Sequence, residues 1–202
     1  MPSRQNAYYE KTFDGDTSPL MKQATSFAIA AIKNDDLPKI AVDCGCGSGR
    51  HIAYLRSQHF LVHGFDIEPD AIEWCQERFK NDMDVHLDVA SFENYNYPTA
   101  TLVMAFASLF FCPATRFDEA WRRISDSVRA QGIFFGMFMG KRDEWAERKT
   151  SFGKTLTFEE ADLRQHFEHF DILDWHERDE EGGTAMGVRK HWHVYSVTAR
   201  RR

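Results

Sequence analysis

Three aspartates, Asp43, Asp66 and Asp88, each close a short apolar run, and three glycines, Gly45, Gly47 and Gly49, follow the first at alternate positions. A carboxylate accepts through two oxygens, so an acid at a strand end can hold a pair of adjacent hydroxyls or an exocyclic amino group. Glycines in a strand-to-helix turn allow positive φ and let a ligand touch the main chain. Together these residue types predict a nucleoside site. Asp66 would take the two ribose hydroxyls and Ile67 would pack on the base. Asp88 would take a base amino group, and the Val89 amide would meet a ring nitrogen. The dinucleotide spacing G-x-G-x-x-G would need glycine at 50, where this chain has Arg50.

Acids on different strands converge only if those strands end side by side. The pattern supplies such strands at 39–43, 61–65, 85–87, 100–106, 133–138, 170–176 and 190–199. Helices are expected at 18–34 (Ser18 as N-cap, Pro19 as first helical residue), 49–57, from Pro69 onward, 116–129 and 158–167, the last with Thr157 and Glu160 as a capping box. Gln131-Gly132 is expected to turn the chain into the fifth strand, and 179–187 to be an exposed turn. Alternating strands and helices predict a Rossmann-like, doubly wound α/β sheet. The last two strands have no helix between them. They should form a hairpin, giving six parallel strands and an antiparallel last one.

The chain has 202 residues and a net charge of −6. That length suits one domain, read as an N-terminal helical cap over 1–36 and a core over 37–202. The acidic balance argues against a nucleic-acid partner. No apolar run approaches the ~20 residues of a membrane span, and the polar N-terminus predicts no leader. The four cysteines contain no C-x-x-C pair, so a reduced, cytoplasmic protein without a metal site is expected.

The segment from Asp43 to Gly49, D-x-G-x-G-x-G, resembles motif I of the class I S-adenosylmethionine (SAM)-dependent methyltransferases. Phe13–Met21 resembles the cap segment that precedes motif I in the small-molecule enzymes of the tellurite-resistance and thiopurine type. Ala105–Pro113 resembles their A-x-A-S-L-x-H-x-P stretch, with Phe111 where histidine is frequent. Arg129–Phe134 resembles L-K-P-G-G-x, keeping only Gly132 of its Pro-Gly-Gly. The resemblance implies SAM as cofactor, S-adenosylhomocysteine as product and a small-molecule acceptor. It also implies that Asp43 lies near the amino-acid end of the cofactor. Cys46 and Phe106 complete the expected cofactor contacts.

Methyl transfer from a sulfonium needs alignment and exclusion of water more than a catalytic dyad. The acceptor should lie over strands four and five, against Ser108, Leu109, Phe110 and Phe111, then Met137, Phe138 and Met139. Tyr8, Tyr9, Phe13 and Met21 would form a lid. His191 and His193 share a strand face, but no sequence neighbour supplies a third metal ligand. Arg189 and Lys190 are read as solvated. Two other readings stay open: a nucleic-acid or protein methyltransferase, and a non-catalytic SAM-binding protein. The oligomeric state, monomer or homodimer, is not fixed.

Overall fold

The computed structural model describes residues 4–32, 39–150 and 153–202. The expected last turn of the second helix and the boundary at 36 lie outside these residues. In chain order the elements are α1 (Arg4–Phe13), α2 (Pro19–Ala31), β1 (Ile40–Cys44), α3 (Arg50–Ser57), β2 (Leu61–Asp66), α4 (Pro69–Arg78), β3 (Val85–Val89) and β4 (Ala100–Ala105). They continue with α5 (Phe117–Ser127), β5 (Val128–Gly140), the short β6 (Lys149–Thr150), β7 (Gly153–Lys154) and β8 (Thr157–Phe158), then α6 (Glu160–Gln165), β9 (Phe170–Gly183) and β10 (Arg189–Arg201).

The main sheet runs β3-β2-β1-β4-β5-β10-β9, and β6 and β7 form a separate ribbon. The pairs from β3 through β5 are parallel, and β10 is antiparallel to both β5 and β9. The expected hairpin and antiparallel last strand are therefore present, with β10 inserted between β5 and β9. β4 is buried along its whole length, as a central parallel strand covered on both faces must be.

The periodicities that build the helices also decide which face each covers. Ser18 caps α2 by accepting the Met21 N–H, 3.1 Å, and Met21, Ala24 and Ala28 are buried. Met21, Ile52 of α3 and Ile72 of α4 share one core with Ala41, Val62 and Leu102 of the sheet. On the opposite face Phe117, Trp121 and Ile124 of α5 meet Leu163 of α6, Val103, Phe134 and Phe138. Trp121 stands edge-on to Phe134 and Phe167, both at 5.0 Å between centroids.

Three local expectations are corrected. Gln131-Gly132 is not a turn before β5: the strand begins at Val128, its register slips opposite Ala100 and Leu102, and Gln131 absorbs the irregularity at φ 63°. Thr157 is not a helix cap. Its backbone pairs with Met139 of β5, so Glu159 becomes the N-cap of a shorter α6. Residues 179–183 are not turn but strand, because each finds a partner on β10. The fifth strand also has a second neighbour, since β8 pairs with it at Met139 and Gly140, beyond the end of the β4 pairing at Gly136.

Candidate active site

The turn after β1 sits where strand order reverses, the place an open α/β sheet reserves for ligands. The Gly45 and Cys46 N–H groups both donate to the Phe65 carbonyl at 2.9 Å, and the Ser108 hydroxyl donates to the Cys44 carbonyl at 2.6 Å. β1, β2 and the turn after β4 are thus pinned together. Gly45, Gly47 and Gly49 all take positive φ, 75°, 52° and 77°. Their surroundings differ. A Cβ on Gly45 would lie 2.5 Å from the Ser108 Cβ, and one on Gly49 would lie 2.9 Å from the Cys75 Sγ. A Cβ on Gly47 would meet nothing within 4 Å, because it would project into open space. The Gly47 N–H donates to Asp66 Oδ2 at 2.9 Å, and Asp66 Oδ1 accepts the Glu68 N–H at 3.1 Å. Each carboxylate oxygen of Asp66 keeps a lone pair for a further donor.

Asp43 lies under this turn, 1% exposed, and its Oδ2 has no hydrogen-bond partner. Burial, and then the charge of Asp66, raise its carboxyl to about 7, while Arg50 pulls the other way. A buried acid oxygen without a donor is uncommon and calls for a cationic or hydrogen-bonding partner. His51, next to Arg50 in sequence, is held neutral: burial and then Arg50 lower it to about 3.

A cleft of about 730 Å³ opens above the turn, within the roughly 300–1,000 Å³ of small-molecule sites. Of the expected cofactor contacts, Gly45, Gly47, Asp66 and Ile67 line it. Asp43, Cys46 and Gly49 support the turn from below, and Cys75 ties in by donating its thiol to the Gly47 carbonyl, 3.2 Å. Asp88 and Val89 are exposed at the end of β3, and Asp88 borders a separate depression beside His63 and His86. Phe106 does not reach the cleft. It turns to the other side and packs against His51 at 4.8 Å and Phe135 at 6.0 Å.

Among the acceptor candidates, Ser108, Phe111 and Tyr9 line the cleft, with Tyr8. Phe110 and Leu109 are buried beneath it, and Phe138, Met139 and Met21 belong to the core. Phe13 packs on Phe79, with the Arg78 guanidinium 3.8 Å from its centroid, which fastens α1 to α4. Tyr9 is 5% exposed. Burial, then Asp66, Glu68 and Asp70, push its phenol up to about 12.

Sequence reasoning missed one wall and one rim. Phe92 and Glu93, on an irregular stretch without periodicity, line the cleft, and Glu93 Oε2 is buried without a partner. Arg148, after β5, lines the opposite rim. Ala107, also lining, takes φ 54°, strain of the kind that gathers at sites. Lys190 corrects the expectation of a solvated strand start. It is 2% exposed, forms an ion pair with the buried Asp143, and lies 3.9 Å and 4.4 Å from the ring centroids of Trp192 and Trp145. The carboxylates that His193 lacked in sequence come from β9. Glu177 and Asp179 stand beside it, and the Arg142 guanidinium sits among them, 3.0 Å from Glu177 and 2.6 Å from Asp179.

Residues 41–132 match the family model described as a methyltransferase domain. No curated protein matches the chain. Similar solved folds include TehB from Haemophilus influenzae, with TM-score 0.68 and 17% identity over 88% of this chain. This chain spans 62% of that structure's length. Magnesium protoporphyrin IX methyltransferase (ChlM) from Synechocystis PCC 6803, solved with bound SAM, gives TM-score 0.65 and 15% identity over 99% of this chain and 92% of its own. The 1,6-didemethyltoxoflavin-N1-methyltransferase of Burkholderia thailandensis, solved with its acceptor and S-adenosylhomocysteine, gives 0.63 and 18% over 91% and 78%.

Proposed function

We infer a SAM-dependent enzyme whose methyl acceptor is a small molecule, a reading supported by the match of residues 41–132 to a methyltransferase domain. The observation that supports this reading is the cleft itself. Its floor is a glycine with room for a ligand at its α-carbon, and Asp66 is fixed beside it with lone pairs to spare. SAM supplies, when bound, a methyl group activated by its sulfonium charge. The residues present fit such a group. Gly45 and Gly47 offer main chain for close approach, Asp66 offers a carboxylate to the ribose, and Ile67, 42% exposed, offers an apolar face to the adenine. Asp88 and the Val89 amide, exposed at the end of β3 just before the lining residue Ala90, are assigned in this reading to the outer edge of the base. The unpartnered Asp43 oxygen favours positive charge nearby. Cys46 and Gly49 hold the turn's shape.

Tyr8 and Tyr9 of α1 close one side and exclude water. Ser108 and Phe111 carry the floor toward the acceptor end. No base need be supplied when the acceptor's lone pair is free at working pH. The whole chain acts as one unit, with α1 and α2 as its cap. Its four free cysteines fit a reduced, cytoplasmic setting, and no helix among the described residues is long and apolar enough to cross a membrane.

A thermal-shift panel with SAM, S-adenosylhomocysteine and NAD tests the cofactor. A ligand at a hundred times its Kd stabilises by about 2.7 kcal/mol. A shift with the first two alone is expected, and a shift with NAD alone overturns the reading. Methyl incorporation from labelled SAM into a cell extract then tests the acceptor. Label in the low-molecular-mass fraction is expected; label confined to protein or nucleic acid overturns the small-molecule assignment.

A further inference from the structure

The acceptor end of the cleft carries a charge that no proposed cofactor contact uses. Asp66, Glu68 and Glu93 line the cleft as acids, and Arg148 is the one base among the described lining residues. Arg148 belongs to the segment that follows β5. That segment is fixed over the turn after β4, because the Leu156 N–H donates to the Phe110 carbonyl at 2.9 Å. Arg148 lines the same cleft as Phe111 and Pro113 of that turn.

Its main chain is tied twice. The Arg148 N–H donates to the Trp145 carbonyl at 2.9 Å, and its own carbonyl accepts the Thr155 N–H at 3.1 Å. Its guanidinium stacks on Trp145, 4.7 Å from the ring centroid. Trp145 is in turn held by the buried pair beneath it. Its N–H donates to Asp143 Oδ1 at 2.8 Å, and the Lys190 ammonium lies 4.4 Å from its centroid. The other well-placed arginines are spent on carboxylates: Arg56 on Asp82, Arg142 on Asp179, Arg164 on Glu160, Arg178 on Glu180. Arg148 is exposed and pairs with no carboxylate among the described residues. A buried ion pair thus supports a tryptophan platform that presents an unspent guanidinium at the rim.

We propose that Arg148 is a specificity-determining residue that binds a carboxylate of the methyl acceptor, while the acceptor's apolar body packs against Phe92, Phe111 and Pro113. Trp145 is its positioning residue. The proposal rests on the small-molecule methyltransferase reading and deepens it. A planar fork of N–H donors matches a carboxylate in two parallel hydrogen bonds, which an ammonium cannot reproduce. Stacking fixes the fork in advance, so little freedom is lost when an anion arrives.

The test compares benzoate with the isosteric, neutral benzamide on protein loaded with S-adenosylhomocysteine, by saturation-transfer NMR titration. Benzoate is expected to bind the wild type more tightly than benzamide. It should weaken about tenfold or more in Arg148→Gln, the loss of a charge-assisted contact, with benzamide unchanged. Trp145→Leu should weaken benzoate similarly and Trp145→Phe restore it, with melting temperature unchanged between the two. Benzoate binding no tighter than benzamide, or equal in wild type and Arg148→Gln, overturns the proposal. Calorimetry with S-adenosylhomocysteine on the same samples separates the two readings. Affinity intact in Arg148→Gln is expected. Absence of affinity in the wild type defeats the methyltransferase reading, and the benzoate comparison on ligand-free protein then still decides the role of Arg148.

Discussion

The Asp66 carboxylate accepts the Gly47 amide at 2.9 Å, so the end of β2 fixes the open point of the turn that follows β1. One side chain therefore both shapes the glycine turn and faces the cleft. Asp66→Ala is expected to weaken S-adenosylhomocysteine by about 2 kcal/mol or more, some thirtyfold in Kd, read by isothermal calorimetry. An unchanged Kd would remove Asp66 from the cofactor site.

Gly45 and Gly47 should fail in different ways. Gly45→Ala drives a Cβ to 2.5 Å from Ser108 and strains a φ of +75°; the expected result is lost stability, about 2 kcal/mol or more, seen in urea melts. Gly47→Ala meets no neighbour. It should cost only the left-handed strain of about 1–2 kcal/mol in folding, and lower cofactor affinity further by filling the cleft. Equal melts for the two variants would contradict this division.

Asp43 predicts a pH dependence. Its folded value, about 7, lies above the ordinary carboxyl value of 3.8. A raised acid costs stability as pH climbs through that interval, the full cost being present above pH 7 and absent below the unfolded value. Without ligand, Asp43→Asn should flatten this slope, measured as stability against pH. The α-ammonium at the amino-acid end of S-adenosylhomocysteine would favour the ionised form, so this ligand should bind more weakly as pH falls below 7 and release protons on binding near pH 6. Calorimetry in buffers of different ionisation enthalpy reads that release, which Asp43→Asn should abolish.

The Lys190–Asp143 pair is buried on both sides. Removing one partner strands the other, so Lys190→Ala should cost about 3–5 kcal/mol in urea unfolding. Combined with Asp143→Asn, the loss should fall short of the sum by at least about 1 kcal/mol. Additive losses would mean the two do not act as a pair.

What was legible in the sequence is what repeats or punctuates. β1, β2 and α2 carry apolar periods bounded by Asp, Gly or Ser-Pro; β1 and β2 stand within a residue of their expected ends, and α2 starts at its expected Ser18-Pro19 signal. Asp66 and Gly47 were readable because a strand end fixes where a side chain points. Phe106 and Phe110 were not, since a residue beyond a strand end can turn to either face and only packing against His51 or under the turn decides it. Arg148 sits between elements with no period of its own. Lys190 looked solvated because nothing in its neighbourhood announces Asp143, which lies far away in sequence and meets it only once β10 lies beside β5.

The placement of β10 bears on how the molecule assembles. β9 and β10 are joined by a short turn, so their ribbon closes only a small loop. Seating that ribbon on β5 must instead close the whole segment from Lys141 to His169, which carries Arg148 and its tryptophan platform. Chain closure of that span carries the larger entropic cost. The rim of the cleft therefore depends on the seated ribbon, because Arg148 rests on Trp145, and Trp145 rests on the pair that Asp143 makes with Lys190 of β10.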